Sequence, residues 1–150
     1  MVKYLFSIVP VFAFISTLNV QETDIPLRLE HFQCYPTLQT YPAVSTTVWI
    51  SDQFSTTANG ESVRVRGACW FCNPTRKLHN GEVFGIEDVR QHLTFYWTPP
   101  ANRGPQRTVK IKNQFGDQAL RLHEALLLAV PTQKAGYDFV EELDHFKCYR

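Results

Sequence analysis

The chain carries almost no surplus of charge: 15 Lys and Arg stand against 14 Asp and Glu across 150 residues. Proteins that work on nucleic acid or on an anionic membrane need a basic surface, so neither is expected as a main partner. Two catalytic signatures are also missing. There is no Gly-x-Ser-x-Gly elbow to raise a nucleophilic serine, and no glycine-rich loop to cradle phosphate. Nor is there an uninterrupted apolar run of the roughly 20 residues that a spanning helix requires. The nearest approach, Tyr4 to Ile15, is broken by Pro10 and closed by Asn19-Val20-Gln21-Glu22. Following Met1-Val2-Lys3, it reads as a secretory signal over residues 1–20, although no Ala-x-Ala site ends it. Its removal would take Lys3 with it and leave 14 charges of each sign. Residues 21–28 read as a polar tether, and no membrane contact is expected after cleavage.

What is present is repetition. His31-Phe32-Gln33-Cys34-Tyr35 returns loosely as His92-Leu93-Thr94-Phe95-Tyr96, and almost verbatim as His145-Phe146-Lys147-Cys148-Tyr149. Thr47 to Phe54 aligns with Thr108 to Phe115 at the same offset of 61 that carries His31 to His92. Asn73-Pro74-Thr75-Arg76-Lys77 aligns with Val130-Pro131-Thr132-Gln133-Lys134 at an offset of 57. The four missing residues fall between Ser55 and Ser62, where Ala58-Asn59-Gly60 reads as a longer turn. A length change at a turn, with both flanks in register, is the mark of a duplication. Unit one is placed at 29–85, unit two at 86–142, and 143–150 as a closing strand or the start of a third unit.

Within the units the apolar residues alternate. Val48-Trp49-Ile50, Val63-Arg64-Val65-Arg66, Val109-Lys110-Ile111-Lys112 and Leu120-Arg121-Leu122-His123 all have period two, the signature of strands with one buried face. Glu124 to Ala129 would pass for helix on propensity, but its aligned partner Gly67 to Cys72 would not. Both are read as a kink and then a buried strand ending at a proline. Helix is expected only as a turn or so at Ile86 to Val89 and Val140 to Leu143. The expected fold is all-β: two homologous antiparallel units with pseudo-twofold symmetry, sandwich or barrel-like. The 44% hydrophobic and 13% aromatic content is enough to fill a core.

Four cysteines in an exported chain suggest two disulfides. Cys34 aligns with Phe95 and Cys72 with Ala129, so unit two has lost both together, as a bonded pair would be lost. Cys34–Cys72 is therefore expected, which leaves Cys69 with Cys148 by elimination.

Taken as a set, His-x-x-Cys-Tyr, Val-x-Ile-x-x-Gln-Phe and Cys-x-Pro-Thr-x-Lys resemble an uncharacterised repeat domain. That domain occurs in secreted and surface proteins of bacteria and archaea, singly or in tandem. The resemblance covers about residues 29–150 and implies a β-rich extracytoplasmic module without known catalytic residues. Unit two departs from it by replacing both motif cysteines, and Cys69 is additional.

Three groups of residues invite a chemical role. His31, His92 and His145 suggest a metal site, since histidine is the commonest side-chain ligand. No acidic or cysteine ligand recurs beside all three, so hydrogen-bonded structural histidines are expected and no metal or other cofactor. Cys69-Trp70-Phe71-Cys72 has redox or zinc half-site spacing, but it lacks the second pair or helix start that either needs. Glu87 and Asp88 near His92 recur as Glu142 and Asp144 near His145, which speaks for repeat structure over an acid–base site. Trp49 and Trp97 form a candidate surface for a carbohydrate or protein partner, although Trp49 could instead pack against the other unit. The expectation is an exported, non-enzymatic structural or adhesive domain, with self-association through edge strands as its extension. A binding module using Trp49 and Trp97 is the alternative, and a secreted hydrolase a third reading.

Overall fold

Alternation decides the longest strand. Val63 and Val65 are buried while Ser62, Arg64 and Arg66 face solvent, and the backbone runs extended from Glu61 to Pro74. The computed structural model describes residues 28–38, 43–55, 57, 59–99 and 106–150. The leader and the tether up to residue 27 lie outside these residues.

Ten strands occur among the described residues, and no helix. They are β1 (Phe32–Pro36), β2 (Ser45–Ile50), β3 (Glu61–Pro74), β4 (Lys77–His79) and β5 (Glu82–Phe84). Then follow β6 (Leu93–Trp97), β7 (Thr108–Asn113), β8 (Gly116–Arg121), β9 (Ala125–Pro131) and β10 (Phe146–Tyr149). The main sheet has the order β1-β3-β6-β9-β10, with β2 on the first half of β3; β4–β5 and β7–β8 are separate hairpins. Asn80-Gly81, both at positive φ, close the first of these hairpins in two residues. The all-β antiparallel expectation holds, and so does a strand in place of a helix at Ala125–Pro131.

The ladders recur pair for pair. In β1·β3, Phe32 faces Pro74, Cys34 faces Cys72 and Pro36 faces Trp70. In β6·β9, Leu93 faces Pro131, Phe95 faces Ala129 and Trp97 faces Leu127. Each pair of the second ladder is a pair of the first moved by 61 on one strand and 57 on the other. The closing hydrogen bonds move likewise. The Thr75 amide donates to His31 O at 2.6 Å, and the Thr132 amide to His92 O at 3.0 Å. The outer hairpins agree too: Val48 faces Val63, and Val109 faces Leu120. They differ where the sequence loses four residues. The β7–β8 turn is tight, whereas β2 and β3 are joined by the longer loop that ends at Gly60. There φ is +73°, and an added Cβ would lie 2.3 Å from Ile50 O, so glycine is required.

Two expectations need correction. The pseudo-twofold relation gives way to a translation. Every pairing along β1-β3-β6-β9-β10 is antiparallel, so β1, β6 and β10 all run the same way, in the same order relative to their partners. A twofold axis would reverse either the direction or the order. The short helices are absent as well. At Glu87 and Asp88 the backbone amides donate to the Glu30 carboxylate at 2.8 and 2.7 Å, which holds the segment as a turn. The Val140–Leu143 segment is also a turn, with a single Leu143 N to Val140 O contact at 3.5 Å.

The core joins the three recurrences. Cys72, Leu93, Ala129, Val140 and Leu143 are buried together, with Phe32, Phe95 and Phe146 packed against them. Phe32, Leu93 and Phe146 are the residues directly after the three motif histidines. The Cys34–Cys72 disulfide pins one ladder to this core across a loop with a sequence separation of 38. Replacing both cysteines, Cys34→Ala with Cys72→Ala, should lower unfolding stability by about 2–4 kcal/mol in urea titration. An unchanged midpoint would mean that the bond does not hold the fold.

Candidate functional site

The β2–β3 hairpin folds over one face of the main sheet and leaves a cavity of about 550 Å³ beneath it. Its walls follow from strand alternation: Val48, Ile50 and Val65 come from the hairpin, and Tyr96, Leu128 and Val130 from β6 and β9. At one end the lining turns polar, with Asp52, His145 and Lys147. The Lys147 ammonium contacts Glu61 and lies 3.9 Å from Asp52 Oδ1. The Tyr149 hydroxyl donates to Asp52 Oδ2 at 2.6 Å, and the Phe54 amide donates to Oδ1 at 3.0 Å.

Burial alone would push the Asp52 carboxyl up. The Tyr149 hydroxyl, the Phe54 amide, Lys147 and Ser55 outweigh it and hold the group below its ordinary range. Burial opposes the charge on Lys147 too, and contacts with Glu61, Tyr149 and Asp52 override it and raise its pKa. Both groups are therefore charged at neutral pH and tied to each other, as a clamp between the hairpin tip and β10. Nothing in the sequence singled them out except that Lys147 replaces Gln33 and Thr94 of the other two motifs. A second unforeseen pair lies at matching positions, where the Glu30 amide donates to Gln91 Oε1 at 3.1 Å and Gln91 Nε2 donates to Arg28 O at 3.0 Å.

The three motif histidines are not brought together. His31 packs edge-on against Phe84 at 5.5 Å, and His145 is an exposed residue at the cavity rim. His92 is 2% exposed, stacked on Phe71 and edge-on to Tyr137. Neither of its ring nitrogens has a hydrogen-bond partner among the described residues. The Cys72 backbone lies close enough to favour the charged ring without meeting full hydrogen-bond geometry, so His92 is held chiefly by its aromatic neighbours. Among the described residues no three His, Cys, Asp or Glu side chains gather as a metal would need.

Of the cysteine pairs, Cys34–Cys72 is bonded and Cys69–Cys148 is not. Elimination fails because two strands, β6 and β9, stand between β3 and β10. Three strand spacings of about 4.8 Å exceed the Cα separation that a disulfide spans. The Cys69 thiol instead donates to Phe95 O at 3.2 Å. Burial pushes both thiols up, and the charge of Cys69 adds a lesser electrostatic push at Cys148. Trp49 is 71% exposed and stands at the cavity that Tyr96, Leu128 and Val130 of the second unit also line; Trp97 is 49% exposed on a different strand.

A family described as a repeat of unknown function (DUF7450) matches residues 6–103. The chain belongs to this family. The DUF7450 match takes in β1 to β6 and ends inside the 86–142 stretch, so it is placed differently from the 29–150 span on which the resemblance rested. No curated protein and no solved structure matches the chain. No helix among the described residues is long and apolar enough to cross a membrane.

Stability should show two acid limbs. His92 is held below its ordinary value near 6.5 by burial and by Lys134, with Asp88 and the Cys72 backbone opposing. Its contribution is therefore complete above that pH and is lost as pH falls below it, at up to about 1.4 kcal/mol per pH unit. Asp52, depressed from 3.8, gives a second limb at lower pH. Urea titrations from pH 8 to 3 should find the first limb gone in His92→Phe and the second reduced in Asp52→Asn. A first limb that persists in His92→Phe would assign it elsewhere.

Proposed function

We propose that the chain is an exported, non-enzymatic structural or adhesive module, built from two tandem copies of one repeat and acting at the cell exterior. The observation that carries this reading is the disulfide between directly facing residues Cys34 and Cys72. Such a bond belongs to an oxidising, extracytoplasmic compartment. The residue-for-residue recurrence of the ladders supports duplication. The polar groups that could serve chemistry support a structural role, since Asp52, Lys147 and Tyr149 bind one another and Glu30 binds the backbone of a turn. Contact with like modules through the sheet edges follows from an order that ends in β1 on one side and β10 on the other.

A second reading, a module that binds carbohydrate or protein through Trp49, is favoured by that ring's exposure. Fractionation of the producing cells with non-reducing peptide mapping tests the first reading. The protein should be recovered outside the cytoplasm, begin near residue 21 and yield a linked Cys34–Cys72 peptide pair. A cytoplasmic pool with Met1 intact and four free thiols would overturn it. In the same material, loss of ligand retention in Trp49→Ala without loss of stability would favour the second.

A further inference from the structure

The chain has three tryptophans, Trp49, Trp70 and Trp97, and all three are exposed. They lie on three different strands, but the ladders set them on one face. Residues directly opposite across a ladder share a face of the sheet, and along a strand the face alternates. Trp97 faces Arg66 on one side and Leu127 on the other. Trp70 faces Phe95, which has the phase of Trp97 on β6. Trp49 faces Ser62, which has the phase of Arg64 and Arg66 on β3. β2 borders the cavity beneath the first hairpin, yet Trp49 and Thr47 have the opposite phase to Val48 and Ile50. Val65 and Tyr96, which line the cavity, alternate in the same way with Arg66 and Trp97. The tryptophans and both arginines therefore share the outer face, away from the cavity.

Their order along that face is Trp70, then Trp97 beside Arg66, then Arg64, then Trp49. The rows of Trp97 and Trp49 are set by Arg66 and Ser62, which stand about 13 Å apart along β3. Both arginines are exposed, and neither has a carboxylate partner among the described residues. Arg64 Nη2 donates to Ser45 Oγ at 3.3 Å. The positions that face this track across the ladders, Pro36, Ser45, Thr47, Ser62, Phe95 and Leu127, include no acid. Two guanidinium forks are thus left free to take carboxylates from outside.

We propose that this outer face binds an acidic polysaccharide, a chain of sugar rings that carry carboxylates. The indoles of Trp49 and Trp97 stack on the apolar faces of separate rings, and Trp70 extends the track. Arg64 and Arg66, between them, take the carboxylates. A protein partner would need a contiguous, desolvated apolar centre, and charged and hydroxyl-bearing positions interrupt this one. This ligand class deepens the reading of Trp49 as a carbohydrate-binding residue and rests on it.

The test is titration calorimetry of the full chain with oligomers of polygalacturonate at low ionic strength. The same oligomers fully methyl-esterified keep the rings and lose the charge; polyglutamate keeps the charge and loses the rings. The acid form should bind at least about tenfold more tightly than either control. Arg64→Gln with Arg66→Gln should remove that advantage and leave binding of the ester unchanged. Trp49→Ala with Trp97→Ala should weaken acid and ester alike, by about tenfold. The ratio of acid to ester binding is read within each variant, so a loss of folded protein cancels. Equal binding of acid and ester, an acid advantage that survives loss of both arginines, or polyglutamate bound as tightly as the acid form would overturn the proposal. In those cases the Trp49 reading would still stand if the tryptophan variant weakened the ester. Binding of neither sugar polymer would overturn both.

Discussion

The antiparallel ladder between each short motif strand and the long strand that follows it is the constraint on which the other features depend. Side chains in a strand alternate between faces, so a slip of one residue would exchange the whole set. Cys72, Leu93 and Ala129 would leave the core, and Val63 and Val65 would turn from the buried face to solvent. Register is therefore specified by burial along much of the main sheet. In unit one it is also fixed covalently, because the Cys34–Cys72 bond joins two residues that already face one another. Unit two has Phe95 opposite Ala129 at the same place and holds it by packing, with Ala129 fully buried.

From that ladder the rest is assembled by extension. A motif strand has two edges. In β6 one edge pairs with β9, the long strand of its own unit, and the other with β3, the long strand of the unit before. The unit ends are tied by Glu30 and Gln91, matching residues whose side chains bridge the approaches to β1 and β6. The hairpins that continue the ladders curl over the sheet, and where the first reaches β10 an acidic and a basic residue meet. Lys147 keeps only 9% of its side chain exposed, so its pairing with Asp52 and Glu61 offsets a real desolvation cost.

Much of this was legible in the sequence, and the reasons differ by element. Strands such as Ser45–Ile50 and Thr108–Asn113 announce themselves through period-two alternation, a local property. The strand at Ala125–Pro131 contradicts propensity and was recoverable only through its aligned partner, which cannot be a helix. The offsets of 61 and 57 carried the pairing of Cys34 with Cys72, because two losses in one copy report one contact. Directions between units were not legible. Alignment shows that two segments are alike, and says nothing of whether translation or rotation relates them. The turn at Glu87 and Asp88 depends on a carboxylate 57 and 58 residues away, which no local rule sees. The Lys147–Asp52 contact likewise joins the chain's last motif to its first hairpin. Pairing Cys69 with Cys148 by elimination failed because the strand order, which sets β6 and β9 between β3 and β10, is not a local property of the sequence.

The claim underneath is that residues 29–85 and 86–142 hold one backbone register between them. Introducing Phe95→Cys together with Ala129→Cys tests it most directly, by restoring to unit two the pair that unit one retains. On air oxidation and non-reducing peptide mapping, the account requires a second bond between positions 95 and 129 beside an intact Cys34–Cys72. Free thiols at both new positions, or either one exchanged onto Cys69 or Cys148, would contradict it.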